Sequence, residues 1–193
     1  MNTPATSLIR RNRRILLGIV GVFFGTLLLA GVMRFSGWHP AATQAHGELL
    51  QPPGDLRAVT PLQGDGHVYR WNPMQRTWRI ALAPPADCAD ACVTLAHQIS
   101  TVWQLMGQDS DRVQILWIGQ APVGSAGFGA LRVLQPSAPL LAGLPRARPA
   151  PGEDPHGVPV FVIDPNGFVI LRYAPGFDPV GLRADLAKLL KLS

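Results

Sequence analysis

The sequence predicts an α/β fold, a central mixed sheet flanked by helices, that follows a single N-terminal transmembrane helix. The first observation is an uncharged, apolar run of 19 residues, 15–33. The second is the order strand, helix, strand between residues 77 and 119, which favours a parallel strand pair because such crossovers have a fixed hand. The third is an apolar hairpin over residues 158–173, followed by a last helix.

The apolar run predicts a membrane anchor, because about 20 residues of helix cross the hydrocarbon core of a bilayer. Four arginines precede it within residues 10–14, and residues 1–34 contain no acid. The positive-inside rule therefore predicts a cytoplasmic tail (1–14), a transmembrane helix (15–33) and a periplasmic domain, with the protein in the inner (cytoplasmic) membrane. A cleaved signal peptide is the alternative, but its apolar core would be shorter and an A-x-A-like site would follow it.

Charge and cysteine content limit the function classes. Five of the 17 basic residues lie within residues 1–34, so 17 − 5 = 12 remain against 12 acidic residues, and the rest of the chain is neutral. A nucleic-acid partner is therefore not expected. Two cysteines are too few for a disulfide scaffold, which indicates local chemistry instead. The G-x-x-x-G of Gly21 and Gly25 is compatible with a weak homodimer through the transmembrane helix.

The segment that follows the anchor predicts a linker over residues 34–60. It is rich in Pro, Gly and Ala and has no sustained period, although Glu48–Leu50 is a candidate for a short edge strand. His46, within this segment, is predicted not to be a metal ligand. The folded domain is then expected over residues 61–193.

The first core strand is predicted over Thr77–Ala83, where bulky residues alternate before two prolines. The next helix has one apolar stripe and is closed by Gly107; the stripe is formed by Leu95, Ile99, Val102, Trp103 and Met106. A second, central strand is predicted over Arg112–Gly119.

The second half of the domain begins with a Gly-, Pro- and Ala-rich connection, residues 120–157, that contains a short strand or helical turn. A hairpin follows, since Asp164–Gly167 (DPNG) is strong turn chemistry between two apolar strands. The last helix is predicted to start with Asp178 as N-cap and Pro179 at its first position, with Leu182, Leu186 and Leu189 buried.

This order of elements is a thioredoxin-like layout. It places Cys88 and Cys92 where the first core strand meets the N-terminus of its helix. Free N–H groups and the helix dipole stabilise negative sulfur at that position, so the pair is suited to thiolate chemistry.

The chain resembles the Sco/SenC family of thioredoxin-like proteins at three features: the "CADAC" of Cys88–Cys92, the DPNG turn, and His156, eight residues before Asp164. The resemblance covers roughly residues 46–192. It implies a membrane-anchored copper chaperone that assembles cytochrome c oxidase, with Cys88, Cys92 and His156 as copper ligands. The family usually has proline after each cysteine, whereas this chain has Ala89 and Val93.

The chemistry of these residues agrees with what the resemblance implies. Two thiolates and an imidazole suit Cu(I), which prefers soft ligands, and can also hold Cu(II). Copper would be cargo, passed to an oxidase subunit or another assembly factor as partner thiols replace these ligands one by one.

Three alternatives stay open from the residues alone. The first is a thiol–disulfide reductase that keeps oxidase cysteines reduced, with Cys88 and Cys92 as catalytic residues and Cys88 as nucleophile. A cis bond before Pro159 would support it, since reductases of this fold place a cis-proline beside the cysteines. The second is a scaffold without chemistry, and the third is an inert disulfide. The sequence shows no Ser/His/Asp set and no nucleotide-binding loop.

Overall fold

The computed structural model of the chain describes residues 5–35 and 45–191. It contains two compact units, Met1–Gln44 and Ala45–Ser193. The first unit is a helix, α1 (Ala5–Phe35), whose segment Asn12–Met33 has a mean hydropathy of 2.5 and is long and apolar enough to cross a membrane. Residues 1–4 of the predicted tail and residues 36–44 of the predicted linker lie outside the described residues.

The second unit is built on a six-stranded mixed sheet with the strand order β1-β6-β5-β2-β3-β4. Strands β2, β3 and β4 are parallel, and β5, β6 and β1 add antiparallel neighbours on the other side of β2. The bounds are β1 (Glu48–Asp55), β2 (Trp78–Leu82), β3 (Val113–Ile118), β4 (Leu131–Leu134), β5 (Val160–Ile163) and β6 (Phe168–Tyr173). The predicted mixed α/β, thioredoxin-like architecture is confirmed.

Three helices cover the two faces of this sheet: α2 (Ala89–Gln104), α3 (Ala138–Ala142) and α4 (Pro179–Lys191). Alternate residues of a strand point to opposite faces, so β2 contributes to two cores. One core joins the sheet to α2 and α4 and contains Ile80, Leu82, Ile99, Val102, Leu182 and Leu186. The other joins the sheet to α3 and contains Ala81, Leu116, Phe161, Leu140 and Leu144. The predicted stripes are largely correct, but Leu190 takes the buried place expected for Leu189.

The turn and the cap predicted from Asp164 and Asp178 are confirmed. Asp164 Oδ1 accepts hydrogen bonds from the N–H groups of Gly167 and Phe168, both at 2.8 Å. Asp178 accepts from the N–H groups of Val180 and Gly181, both at 3.0 Å, so it caps α4. The strand predicted as one option within residues 120–157 is β4.

The prediction that the linker extends to residue 60 is wrong for its second half. Glu48–Asp55 is the edge strand β1, paired with β6, and Leu56 is fully buried. The candidate edge strand Glu48–Leu50 is confirmed, but Pro52, Pro53 and Gly54 concealed its full length in the sequence. An edge strand tolerates prolines, because one side of it needs no partner, and β1 also has an irregular register between Leu49 and Gly54.

Candidate redox and metal site

The two cysteines form a disulfide at the start of α2. Cys88 is the N-cap residue of the helix and is half-buried, whereas Cys92 lies one turn further and is 6% exposed, packed in the core beneath α2 and α4. The helix begins here because Pro84 and Pro85 end the extended chain after β2. Cys88 is therefore the sulfur within reach of a partner, and it lies at the positive end of the helix dipole.

Ala89, the residue after Cys88, has a left-handed backbone conformation with φ of 42°. Non-glycine residues rarely adopt this conformation, because Cβ meets the backbone. The Ala89 side chain is exposed. The first turn of α2, between the cysteines, thus carries backbone strain at Ala89. The adjacent Asp90 is an exposed acid in the first turn of α2.

His156 lies on the loop before β5, and its side chain is exposed. Its N–H donates to Asp154 Oδ1 at 3.0 Å, and Gly157 packs so closely against Pro175 that an added Cβ would lie 2.2 Å from Cβ of that proline. Pro155 and Gly157 line a cavity of about 1470 Å³, and residues 83–86, just before Cys88, line it too. The loop of His156 and the loop of the cysteines therefore border the same cavity.

The predicted ligand set is not assembled in this structure. Within residues 5–35 and 45–191, no three His, Cys, Asp or Glu side chains lie close enough together to hold a metal ion. The sulfurs of Cys88 and Cys92 are bonded to each other, so neither is available as a thiolate ligand. The donor types suit Cu(I), but binding requires two-electron reduction of the disulfide and movement of the His156 loop.

The cis peptide bond before Pro159, which would support the reductase alternative, is not found. Among the peptide bonds of the described residues, Gln51–Pro52 is the cis one, so the bond before Pro159 is trans. Pro159 is buried and lines the cavity.

A buried polar cluster around Asp185 was missed by sequence reasoning. Asp185 is 2% exposed and accepts hydrogen bonds from the N–H groups of His46 (2.6 Å) and Gly47 (3.1 Å) and from the Tyr173 hydroxyl (2.8 Å). Burial acts to raise the pKa of Asp185, but these hydrogen bonds outweigh it and the pKa is lowered. Burial and the bond to Asp185 raise the pKa of Tyr173.

The signal for this cluster is an acid on an apolar stripe, since Asp185 lies between Leu182 and Leu186 on the buried face of α4. The packing of Tyr173 in this cluster also explains why a glycine, Gly47, follows His46 just before β1. A Cβ on Gly47 would lie 2.6 Å from the Tyr173 ring, so the position has no room for a side chain. His46, predicted as a linker residue, is thus part of the folded unit.

The comparisons with solved structures agree with this architecture. BsSco, a member of the Sco family of cytochrome c oxidase assembly proteins in which a disulfide switch was identified, aligns with a TM-score of 0.55 and 12% identity over 76% of this chain and 98% of that one. Yeast Sco1 with copper bound aligns with a TM-score of 0.51 and 12% identity over 79% and 96%. Peroxiredoxin Q from Xanthomonas campestris aligns with a TM-score of 0.48 and 15% identity over 77% and 98%.

The alignments with BsSco and yeast Sco1 show the thioredoxin-like fold. No curated protein matches the chain in sequence. A family model described as "Transmembrane-like, thioredoxin-like, C-terminal domain" matches residues 78–193, which is more than half of the chain. The chain therefore belongs to this transmembrane-like, thioredoxin-like family.

Proposed function

We propose that the chain is a membrane-tethered assembly factor that carries copper on Cys88, Cys92 and His156 for the maturation of a respiratory cytochrome c oxidase. The observation that carries the proposal is the cysteine pair at the N-terminus of α2, directly after residues 83–86, which line a cavity that the His156 loop also borders. The similarity of the fold to Sco proteins, one of them solved with copper bound, supports it.

The chemistry begins with reduction of the disulfide by a dithiol partner. The partner's thiolate attacks one sulfur, a mixed disulfide forms, and the partner's second thiolate releases the reduced pair while the partner becomes oxidised. The N-terminus of α2 then favours the Cys88 thiolate. His156 completes the donor set when its exposed loop closes toward the cysteines, and copper is cargo that leaves by ligand exchange.

The disulfide itself favours a second candidate function, thiol–disulfide exchange without metal. In that case the Cys88 thiolate attacks a client disulfide, and the client sulfur that leaves carries the electron pair. Cys92, buried next to it, then resolves the mixed disulfide, so the client is reduced and the Cys88–Cys92 bond forms. The half-exposed Cys88 and the buried Cys92 match the roles of attacking and resolving thiol.

Copper counting separates these two functions. The full chain in detergent is reduced, loaded with Cu(I), and desalted, and the bound copper is counted. One copper per chain in the wild type, with loss in Cys88→Ser, Cys92→Ser and His156→Ala, is the expected result. His67→Ala, at an exposed histidine outside the cavity, is the matched control and should bind like the wild type. A reduced wild type that binds no copper but reduces a model disulfide would favour exchange instead.

We further propose how the chain is divided into segments and on which side of the membrane each segment lies. The arginines of residues 10–14 support a cytoplasmic N-terminus, with the helix of residues 15–33 in the inner membrane and the folded unit in the periplasm. Oxidising conditions there are compatible with the Cys88–Cys92 disulfide.

A further inference from the structure

The cavity beside the disulfide lies where open α/β sheets bind ligands. Its walls follow the carboxyl ends of the parallel strands, with Ala83–Ala86 after β2, Gly119 and Gln120 after β3, and Pro136 after β4. The chain leaves β2 toward α2 on one face of the sheet and leaves β4 toward α3 on the other face. Such a divergence opens a crevice at the end of the sheet. The crevice reaches to within two residues of Cys88.

Size and lining favour an extended polypeptide over a small molecule. The volume of about 1470 Å³ exceeds the range of about 300–1,000 Å³ that is usual for small-molecule pockets. Prolines form much of the wall: Pro84, Pro85, Pro136, Pro145, Pro149, Pro151, Pro155 and Pro159. Proline offers a carbonyl acceptor but no N–H donor, so these walls suit a strand that brings its own N–H groups.

The charge of the lining selects the kind of polypeptide. Both carboxylate oxygens of Glu153 accept hydrogen bonds from Arg172, at 2.8 and 2.6 Å, and Arg146 pairs with Glu48 at 2.5 Å. Arg148 is exposed, and it is the charged side chain lining this cavity for which the described residues show no ion pair. The lining is thus an apolar groove with one uncompensated positive charge.

We propose that this groove binds an extended segment of a client protein that carries a carboxylate and, a few residues from it, a cysteine. Arg148 receives the carboxylate, the proline-rich walls hold the apolar backbone, and the client sulfur is delivered to Cys88. The inference rests on the proposed function, because it names the client of the same thiol, and it holds for both copper transfer and thiol exchange.

Single-thiol kinetics test the proposal. The full chain with Cys92→Ser, in detergent, retains Cys88 as its one thiol. The probes are two capped peptides, Glu-Ala-Leu-Ala-Cys and Lys-Ala-Leu-Ala-Cys, and capped cysteine alone, each as the mixed disulfide with thionitrobenzoate. Cys88 attacks the probe's cysteine sulfur, the Cys88–probe bond forms, and the coloured thionitrobenzoate leaves with the electron pair. The rate of colour release is the readout.

The expected order is the Glu peptide first, then the Lys peptide, then capped cysteine. We expect a ratio of about fivefold between the two peptides, which is what one close charge pair contributes in water. Adding Arg148→Glu should reverse the order of the two peptides. Arg70→Glu, at an exposed arginine outside the groove, is the control and should keep the original order.

Two outcomes would overturn the inference, and they differ in whether the thiol chemistry of Cys88 is also refuted. Equal rates for all three probes, unaffected by Arg148→Glu, would refute client binding in the groove and would leave the thiol chemistry of Cys88 supported. A Cys88 thiol that reacts with none of the probes would remove thiol exchange and the groove together, while copper carriage stands or falls by the copper count.

Discussion

At the scale of single residues, the first turn of α2 between the two cysteines contains one unusual backbone conformation. Ala89 has positive φ, and its methyl group is exposed. Reduction of the disulfide would free this turn, and Ala89 could then adopt negative φ. We therefore expect the backbone at this position to disfavour the disulfide relative to the dithiol form.

A Gly, Ala, Pro series at residue 89 measures this effect. Glycine adopts positive φ without cost, and the left-handed conformation costs an L-residue about 1 kcal/mol or more. Ala89→Gly should therefore stabilise the disulfide against glutathione by about fivefold. Ala89→Pro should destabilise it, because proline holds φ near −65°. The measurement is the thiol–disulfide equilibrium with a glutathione buffer.

The control for this series is Ala91→Gly, at an exposed position of α2 with no positive φ. It should leave the exchange equilibrium unchanged. If Gly, Ala and Pro at residue 89 give one and the same equilibrium constant, the backbone of this loop has no influence on the disulfide.

At the scale of elements, the domain is closed by contacts between its sequence-distant ends. Strand β1 covers the outer edge of β6, and the residues before it bond to Asp185 on α4. The long connection before β5 is tied to β6 in turn, because Glu153 pairs with the buried Arg172. These ties position the His156 loop beside the cavity.

The prediction for the β1 segment is a loss of stability when Leu56, the buried side chain directly after the strand, is truncated. Leu56 is 0% exposed and lies in the core with Leu140 and Leu144. Leu56→Ala should lower the free energy of unfolding by about 2–5 kcal/mol, as for other buried leucines. Leu49→Ala, at a side chain that is 57% exposed, is the matched control and should change it by less than about 0.5 kcal/mol.

Urea unfolding of the full chain in detergent provides this measurement. Equal, small effects of the two substitutions would mean that residues before 61 do not belong to the cooperative unit.

The prediction for the long connection before β5 concerns the pH dependence of stability. The hydrogen bonds from Arg172 lower the pKa of Glu153 from 4.5 to about 2. A lowered folded-state pKa gives stability that is complete above the unfolded value and is lost as pH falls from 4.5 toward 2. Between about pH 6 and pH 3, the urea midpoint should therefore fall more for the wild type than for Glu153→Gln.

The control for this pH experiment is Asp111→Asn, which replaces an exposed carboxylate and should follow the wild-type dependence. A Glu153→Gln protein with the full wild-type pH dependence would show that the pair with Arg172 adds nothing to stability.

At the scale of the whole molecule, a helix of membrane-spanning length precedes a thioredoxin-like unit. Under the proposed function, a membrane anchor would keep Cys88 and Cys92 near the membrane, where the subunits of a membrane-bound oxidase are assembled. Such a tether would raise the effective concentration of the two partners without adding contacts.

The orientation is tested by fusing alkaline phosphatase, which is active in the periplasm, to the C-terminus of the full chain. Cells should show phosphatase activity in the membrane fraction, and the fusion should keep its N-terminal helix, as read by mass spectrometry. Replacing the four arginines of residues 10–14 by glutamate should reduce this activity. Activity in the soluble fraction with a shortened mass would indicate a cleaved signal peptide.

Features that arise from the local order of residues could be predicted from the amino-acid sequence. Apolar length predicted the anchor, alternation and helical period predicted β2 and α2, and the DPNG turn predicted the hairpin of β5 and β6. The position of Cys88 and Cys92 at the start of a helix followed from the same patterns. These sequence patterns are informative because each one arises within a single helix, strand or turn.

Features that join distant parts of the chain became visible only in the folded structure. Strand β1 exists because β6 pairs with it, and Asp185 is buried because its partners include His46, which is 139 residues away in sequence. The arrangement of the His156 loop and the segment before Cys88 around one groove depends on the packing of loops that follow three different strands, β2, β3 and β4. Local periodicity carries no information on such contacts, since their free energy arises only when the whole sheet has formed.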